Sequence, residues 1–174
     1  MRFEATDGIV KWKAYSGEKI RNRFSADKWN NIAADISTNE EWEHFINSYP
    51  DFVKSYILEY VATSLDIAFV YLYFEEPNVV SIHGGGWEKP LLYYRGYILM
   101  LRILTEKGYK VRTYCSLTNS SAIRFSRSVG FIPYRYTGSK ILMWLSEKSL
   151  KRTILYKRFY TETIIKRGVF LPNF

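Results

Sequence analysis

His83 has the side chain best suited to proton transfer near neutrality, because imidazole is the one group whose ordinary titration falls there. It ends a short β-branched run, Val79-Val80-Ser81-Ile82-His83, and Gly84-Gly85-Gly86 follow at once. Three residues further, Lys89-Pro90 opens a long apolar segment. Proline suits a first helical turn, where its missing N–H would have been unpaired anyway. A loop entering a helix N-terminus presents unpaired backbone N–H groups and the positive end of the helix dipole. That is a seat for an anion, to which Lys89 would add a point charge. The glycines also have a plainer reading as a strand terminus, and His83 one as a structural residue.

The other reactive residues group less well. Glu75 and Glu76 precede Pro77 and read as a solvated turn; His44, beside Glu41 and Glu43, reads as surface. Two distant histidines and a lone Cys115 give no metal-ligand spacing and no disulfide framework. No P-loop, nucleophile elbow or zinc motif is present.

The elements that must position these groups follow from periodicity and capping. Ile67–Phe74 and Val79–His83 flank Glu75-Glu76-Pro77-Asn78 as an antiparallel hairpin. Pro90 to Lys107 is a helix, apolar around nearly its whole circumference except for Arg95, Arg102 and Glu106, and Gly108 ends it. Val111–Leu117 alternates as a strand. Asn119-Ser120-Ser121 caps a helix from Ala122 to Val129, closed by Gly130-Phe131. Ile132–Tyr136 and Lys140–Leu145 flank Thr137-Gly138-Ser139 as a second hairpin. Upstream, Gly8–Tyr15 reads as a strand and Ser25 caps a helix carrying Trp29, Ile32, Ala33 and Ile36 on one face. Thr38-x-x-Glu41 opens a second helix with Trp42, Phe45, Ile46 and Tyr49. Pro50-Asp51 opens a third, with Phe52, Val53, Tyr56, Ile57, Tyr60 and Val61 inward. From Glu147 onward both helix and strand are compatible with the pattern.

Asn119, Ala122, Phe125, Gly130 and Phe131 fall on N-x-x-A-x-x-Φ-x-x-x-x-G-F (Φ apolar), which resembles the asparagine-to-Gly-Phe segment of the GNAT N-acetyltransferase superfamily. The strand–loop–helix–strand before it has the order and length of that family's acetyl-CoA-binding core. The resemblance spans roughly residues 65–145. It implies one α/β domain over residues 1–146, with a mixed central sheet of six to seven strands and helices on both faces, the acyl-CoA N-acyltransferase fold. Residues 147–174 would be a basic extension packed on the domain or trailing it. The implied cofactor is acetyl-CoA, held by Ile82, His83, Gly84, Trp87, Lys89, Leu91, Leu92, Asn119 and Phe125. Its pantetheine arm would lie where Val79–His83 and Val111–Leu117, adjacent and parallel, splay apart. Asn119 would aim its amide at the arm, although the helix N-cap accounts for it equally.

The sequence departs from the family in two places. The Q/R-x-x-G-x-G/A phosphate loop, counted back from Gly108, falls on about Trp87 to Tyr93 and lacks those glycines. The tyrosine that follows Φ and serves as acid in many relatives is Ser126 here, and a serine hydroxyl is too weak an acid to replace a phenol. The catalytic candidates are therefore His83, Ser126 and Tyr114, with Tyr134 a further stand-in. The implied activity is transfer of acetyl to a small-molecule or protein amine by direct attack. The alternative is a catalytically weak or inactive module that binds CoA, nucleic acid or a protein partner.

Composition bounds these readings. At 174 residues, 47% hydrophobic and 18% aromatic, the chain can bury a full core and is no low-complexity segment. No apolar run approaches the ~20 residues that span a bilayer, and the start has no apolar signal core, so a cytoplasmic protein is expected. The net charge is +8, and residues 140–174 carry eight basic residues against Glu147 and Glu162. Such a tail either forms a solvated face or attracts polyanions.

Overall fold

A computed structural model describes residues 4–15, 53–86 and 89–160. The helices expected between residues 25 and 49, Trp87, and the tail past residue 160 lie outside them. Eight strands form one sheet: β1 (Glu4–Thr6), β2 (Val10–Tyr15), β3 (Val53–Tyr60), β4 (Leu65–Glu76), β5 (Val79–Gly86), β6 (Lys110–Ser116), β7 (Ile132–Thr137) and β8 (Lys140–Leu145). Their order across the sheet is β1-β2-β3-β4-β5-β6-β8-β7. The long helix α1 (Pro90–Glu106) joins β5 to β6, and α2 (Ser120–Ser128) follows β6. Two short helices, α3 (Glu147–Arg152) and α4 (Ile154–Phe159), settle the ambiguous C-terminal pattern as helical through Phe159.

The sheet is mixed, as expected, but has eight strands where six to seven were expected. One addition is β1, which folds back on β2 through Gly8 at φ 89°. The other is β3, in the stretch expected to be a third helix. Tyr56 and Leu58 join the core beneath α1, while Ile57 is buried on the opposite face. A strand apolar on both faces loses its alternation, so its run of large residues also fits a helical stripe.

Gly96 sets how closely α1 approaches the sheet. A Cβ there would lie 2.3 Å from Leu58 Cδ2. The indole N–H of Trp12 donates to the Gly96 carbonyl at 2.6 Å, pinning helix to strand. Both arginines of the polar stripe expected on α1 are paired. Arg102 pairs with Glu106 at 2.6 Å, and Arg95 reaches the buried Asp7 at 2.5 Å. Asp7 also accepts from Ile9 N–H, Val10 N–H and the Tyr160 hydroxyl. One carboxylate thus ties the β1–β2 turn, α1 and the residue ending α4. Burial first, and then the Asp7 charge, push the Tyr160 phenol up, so it stays protonated and donating.

Candidate active site

Among the described residues β5 and β6 are the only parallel pair, and they pair over three positions: Val79 with Lys110, Val80 with Val111, and Ser81 with Arg112. Beyond Ser81 and Arg112 both strands run on, to Gly86 and Ser116, with no further pairing to each other. Arg112 marks the root of this splay: its Nε donates to Ser81 Oγ at 3.0 Å, and its guanidinium lies 5.7 Å from the Tyr114 and Trp144 ring centroids. Thr113 Oγ1 then donates to the Ile82 carbonyl at 2.9 Å, and Lys110 N–H to the Asn78 carbonyl at 2.7 Å. Carbonyls of even-numbered β5 residues therefore face β6. By the same alternation the N–H and C=O of Gly84 face the opened splay, where an extended arm can pair with them as an added strand would.

His83 and Tyr114 each stand two residues past the last pair, on their respective strands and on the same face of the sheet. Both are partly exposed. The structure thus brings two of the three catalytic candidates to opposite lips of the splay. The third, Ser126, lies elsewhere: it is buried, its Oγ 3.4 Å from Cys115 Sγ, on the face covered by α1 and α2. Tyr134, on the edge strand β7, is 67% exposed and makes an edge contact with Trp144.

Gly84-Gly85-Gly86 do not end β5. They continue it, paired with Val70, Phe69 and Ala68 of β4. Glycine is demanded there by close approach: a Cβ on Gly84 would lie 2.5 Å from the Phe69 carbonyl oxygen, and one on Gly86 2.6 Å from Tyr93 Cγ. Tyr93, from the first turn of α1, lays its ring on Gly86 and stacks on Phe125 of α2, centroids 4.8 Å apart and planes at 17°. Tyr94 and Tyr97 pack on the same Phe125 ring. Burial pushes the Tyr93 and Tyr97 phenols up, so both stay neutral. Phe125, a cofactor candidate by sequence, is the centre of this cluster, and the cluster fills the outer end of the splay on the helix face.

The helix start is a modest anion seat. Lys89 takes a left-handed conformation, φ 47° and ψ 68°, and its carbonyl accepts from Leu92 N–H and Tyr93 N–H. Pro90 has no N–H to give. Lys89 is exposed with Nζ 5.4 Å from the Tyr60 ring centroid, Leu91 is 54% exposed and Leu92 packs against the core. Asn119 caps α2, its Oδ1 accepting from Ala122 N–H at 2.9 Å, which leaves its NH2 as the part able to reach a ligand. Sequence reasoning missed Thr113 and Tyr93. Nothing local marks Thr113; for Tyr93 the signal was the missing glycine in the loop counted back from Gly108.

No protein-family model matches this sequence, nor does any curated protein sequence. Solved structures do match. A GCN5-related N-acetyltransferase from Brucella melitensis superposes with TM-score 0.66 at 12% identity, over 91% of this chain and 84% of that one. The fold is that of the GNAT acetyltransferases. Aminoglycoside acetyltransferase AAC(6')-Ib, solved with coenzyme A and kanamycin, matches at TM-score 0.61 and 15% identity, over 83% of this chain and 98% of its own. A spermidine N-acetyltransferase, SpeG, as a chimera from Vibrio cholerae and hSSAT, matches at TM-score 0.61 and 12% identity, covering 82% and 99%. The GNAT fold accounts for one parallel pair at the centre of a sheet whose other described pairs are antiparallel. Among the described residues no His, Cys, Asp or Glu group could hold a metal, and no helix is long and apolar enough to cross a membrane.

Proposed function

We propose that this chain is an N-acetyltransferase that takes acetyl from acetyl-CoA to a small-molecule or protein amine. The observation that carries the reading is the splay: pairing stops at Ser81 and Arg112, Gly84 offers its backbone to the gap, and His83 and Tyr114 flank it on one face. Acetyl-CoA supplies an activated thioester. The backbone of Gly84 holds the arm, and Lys89 at the start of α1 meets the phosphates. His83, as neutral imidazole, takes the proton the amine must lose. Tyr114, a phenol beside the Arg112 guanidinium, is placed to return a proton to the sulfur side. Ser126, buried and in hydrogen-bond contact with Cys115, has no role in this scheme. Relatives solved with a polyamine acetylase or aminoglycoside acetylase identity fit an amine acceptor, and the acceptor faces the lip that carries His83.

The cluster on the helix face has a consequence for binding. The arm passes Gly86 only when Tyr93 swings off it, so the competent state is a minority and apparent affinity falls by its population. Stacking of one aromatic pair is worth ~0.5–1.5 kcal/mol beyond area burial. Tyr93→Ala is therefore expected to tighten CoA binding by roughly two- to tenfold. Calorimetric titration of CoA into the full chain and the variant tests this. Binding by neither protein would sink the transferase reading. Equal binding by both would leave that reading standing and remove the role of Tyr93.

A further inference from the structure

A second feature lies at the C-terminal end of α2, apart from the splay. Gly130, at φ 103°, has no room for a side chain: a Cβ there would come within 3.0 Å of Leu150 Cα, Leu150 N and the Ser149 carbonyl. This close approach seats α3 directly against the end of α2. Arg127 from α2 thereby shares one open concavity of about 420 Å3 with Lys148 and Arg152 from α3, over a floor of Gly130 and Phe131. Lys148 and Arg152 stand four residues apart and so lie on one helix face. The acid of α3, Glu147, is engaged elsewhere, with Lys151 at 2.5 Å. Among the described residues, none of the three cations joins an ion pair, and no carboxylate lines the concavity.

Three converging cations without acids attract a polyanion, and the concavity is larger than one phosphate needs. Its edge continues into β7, the last strand of the sheet. Ile132, which lines the concavity, is followed by Tyr134 and Tyr136, 67% and 71% exposed. Tyr136 stands four residues along, roughly 13 Å at strand rise. Cations that track phosphates and exposed rings that stack on unpaired bases are the combination that holds single-stranded nucleic acid without sequence preference. We propose that Arg127, Lys148 and Arg152 form the phosphate-binding part of a single-stranded nucleic acid surface, with β7 as its continuation. This surface is independent of the acetyl-transfer reading.

The test is fluorescence anisotropy of a labelled 20-nucleotide oligothymidine titrated with the full chain. Three phosphate contacts on a single strand give a slope of about −2 in log K against log salt, so affinity falls about twentyfold between 50 and 200 mM salt. The triple variant R127E/K148E/R152E removes that slope and weakens binding at least tenfold. The double variant K107E/K110E, which reverses exposed charges at the far end of α1 and the start of β6, keeps both. All five positions are exposed, and circular dichroism confirms that each variant folds. Tyr136→Ala weakens binding while leaving the salt slope intact. Absence of binding at 50 mM salt overturns the proposal. So does equal loss in the two charge variants, which would make the attraction a property of net charge alone. A native chain that dimerises and neither binds the oligonucleotide nor stays dimeric as the triple variant would assign the surface to a second copy instead.

Discussion

Replacing His83 with alanine is expected to lower kcat for acetyl transfer by about 10²–10⁴, the usual worth of positioned proton transfer. CoA affinity should stay unchanged, because the arm pairs with the backbone of Gly84 and not with the imidazole. The expectation rests on placement. His83 and Tyr114 are the titratable side chains standing two residues past the last β5–β6 pair, both on the face away from α1. An amine that attacks a thioester there must lose its proton to a group that is deprotonated at working pH. Tyr114→Phe should cost less, since a thiolate leaves with little help. Thiol release at saturating acetyl-CoA and amine measures both. An unaltered kcat in His83→Ala would move the base elsewhere. If the native chain binds CoA yet releases no thiol with any of a broad set of amines, the binding-module reading becomes the better one.

The second large effect is on stability. Asp7→Ala is expected to destabilise the protein by about 3 kcal/mol, the lower part of the range for removing one partner of a buried ion pair. The Asp7 side chain is wholly buried and that of Arg95 is 16% exposed, so the stranded guanidinium finds little water. The loss is compounded because the same carboxylate holds two backbone N–H groups of the β1–β2 turn and the Tyr160 hydroxyl. Tyr160→Phe removes one hydrogen bond and should cost about 1 kcal/mol. For a chain of this size the Asp7 change corresponds to a Tm lower by roughly 6–12 °C. Urea unfolding of the three proteins gives the comparison. A loss below that of Tyr160→Phe would mean that the carboxylate is dispensable. The raised titration of Tyr160 leaves its contribution full below the ordinary phenol range and removes it only as pH climbs through the raised value.

The centre of the fold was legible because its signals are local. Pro90 and Gly108 bracket α1, alternation marks β6, and Asn119 through Phe131 carry capping and closing residues in sequence order. What failed was set by tertiary packing. The glycine run looked like a strand end, yet Gly84 and Gly86 are glycine because the Phe69 carbonyl and the Tyr93 ring come too close for a Cβ. β3 resembles a helix in pattern because residues 56–59 are buried on both faces of the strand. Ser126 could be recognised as a departure from the family, but that it faces Cys115 could not. The C-terminal helices did carry signals, with Ser146 and Ser149 forming a reciprocal cap and Thr153 capping the next turn. Those hydroxyls stand among residues that also suit strands, which masks the helical signal. The Asp7–Arg95–Tyr160 link and the meeting of Arg127 with Lys148 and Arg152 join distant positions, and no local pattern encodes them.

Diffraction from crystals of the full chain grown with CoA tests the central claim most directly. An extended arm running past Gly84 between β5 and β6 is expected, with the Tyr93 ring displaced from Gly86 and the thiol between His83 and Tyr114. CoA held only through its phosphates at Arg127, Lys148 and Arg152, with Tyr93 still seated on Gly86, would contradict it.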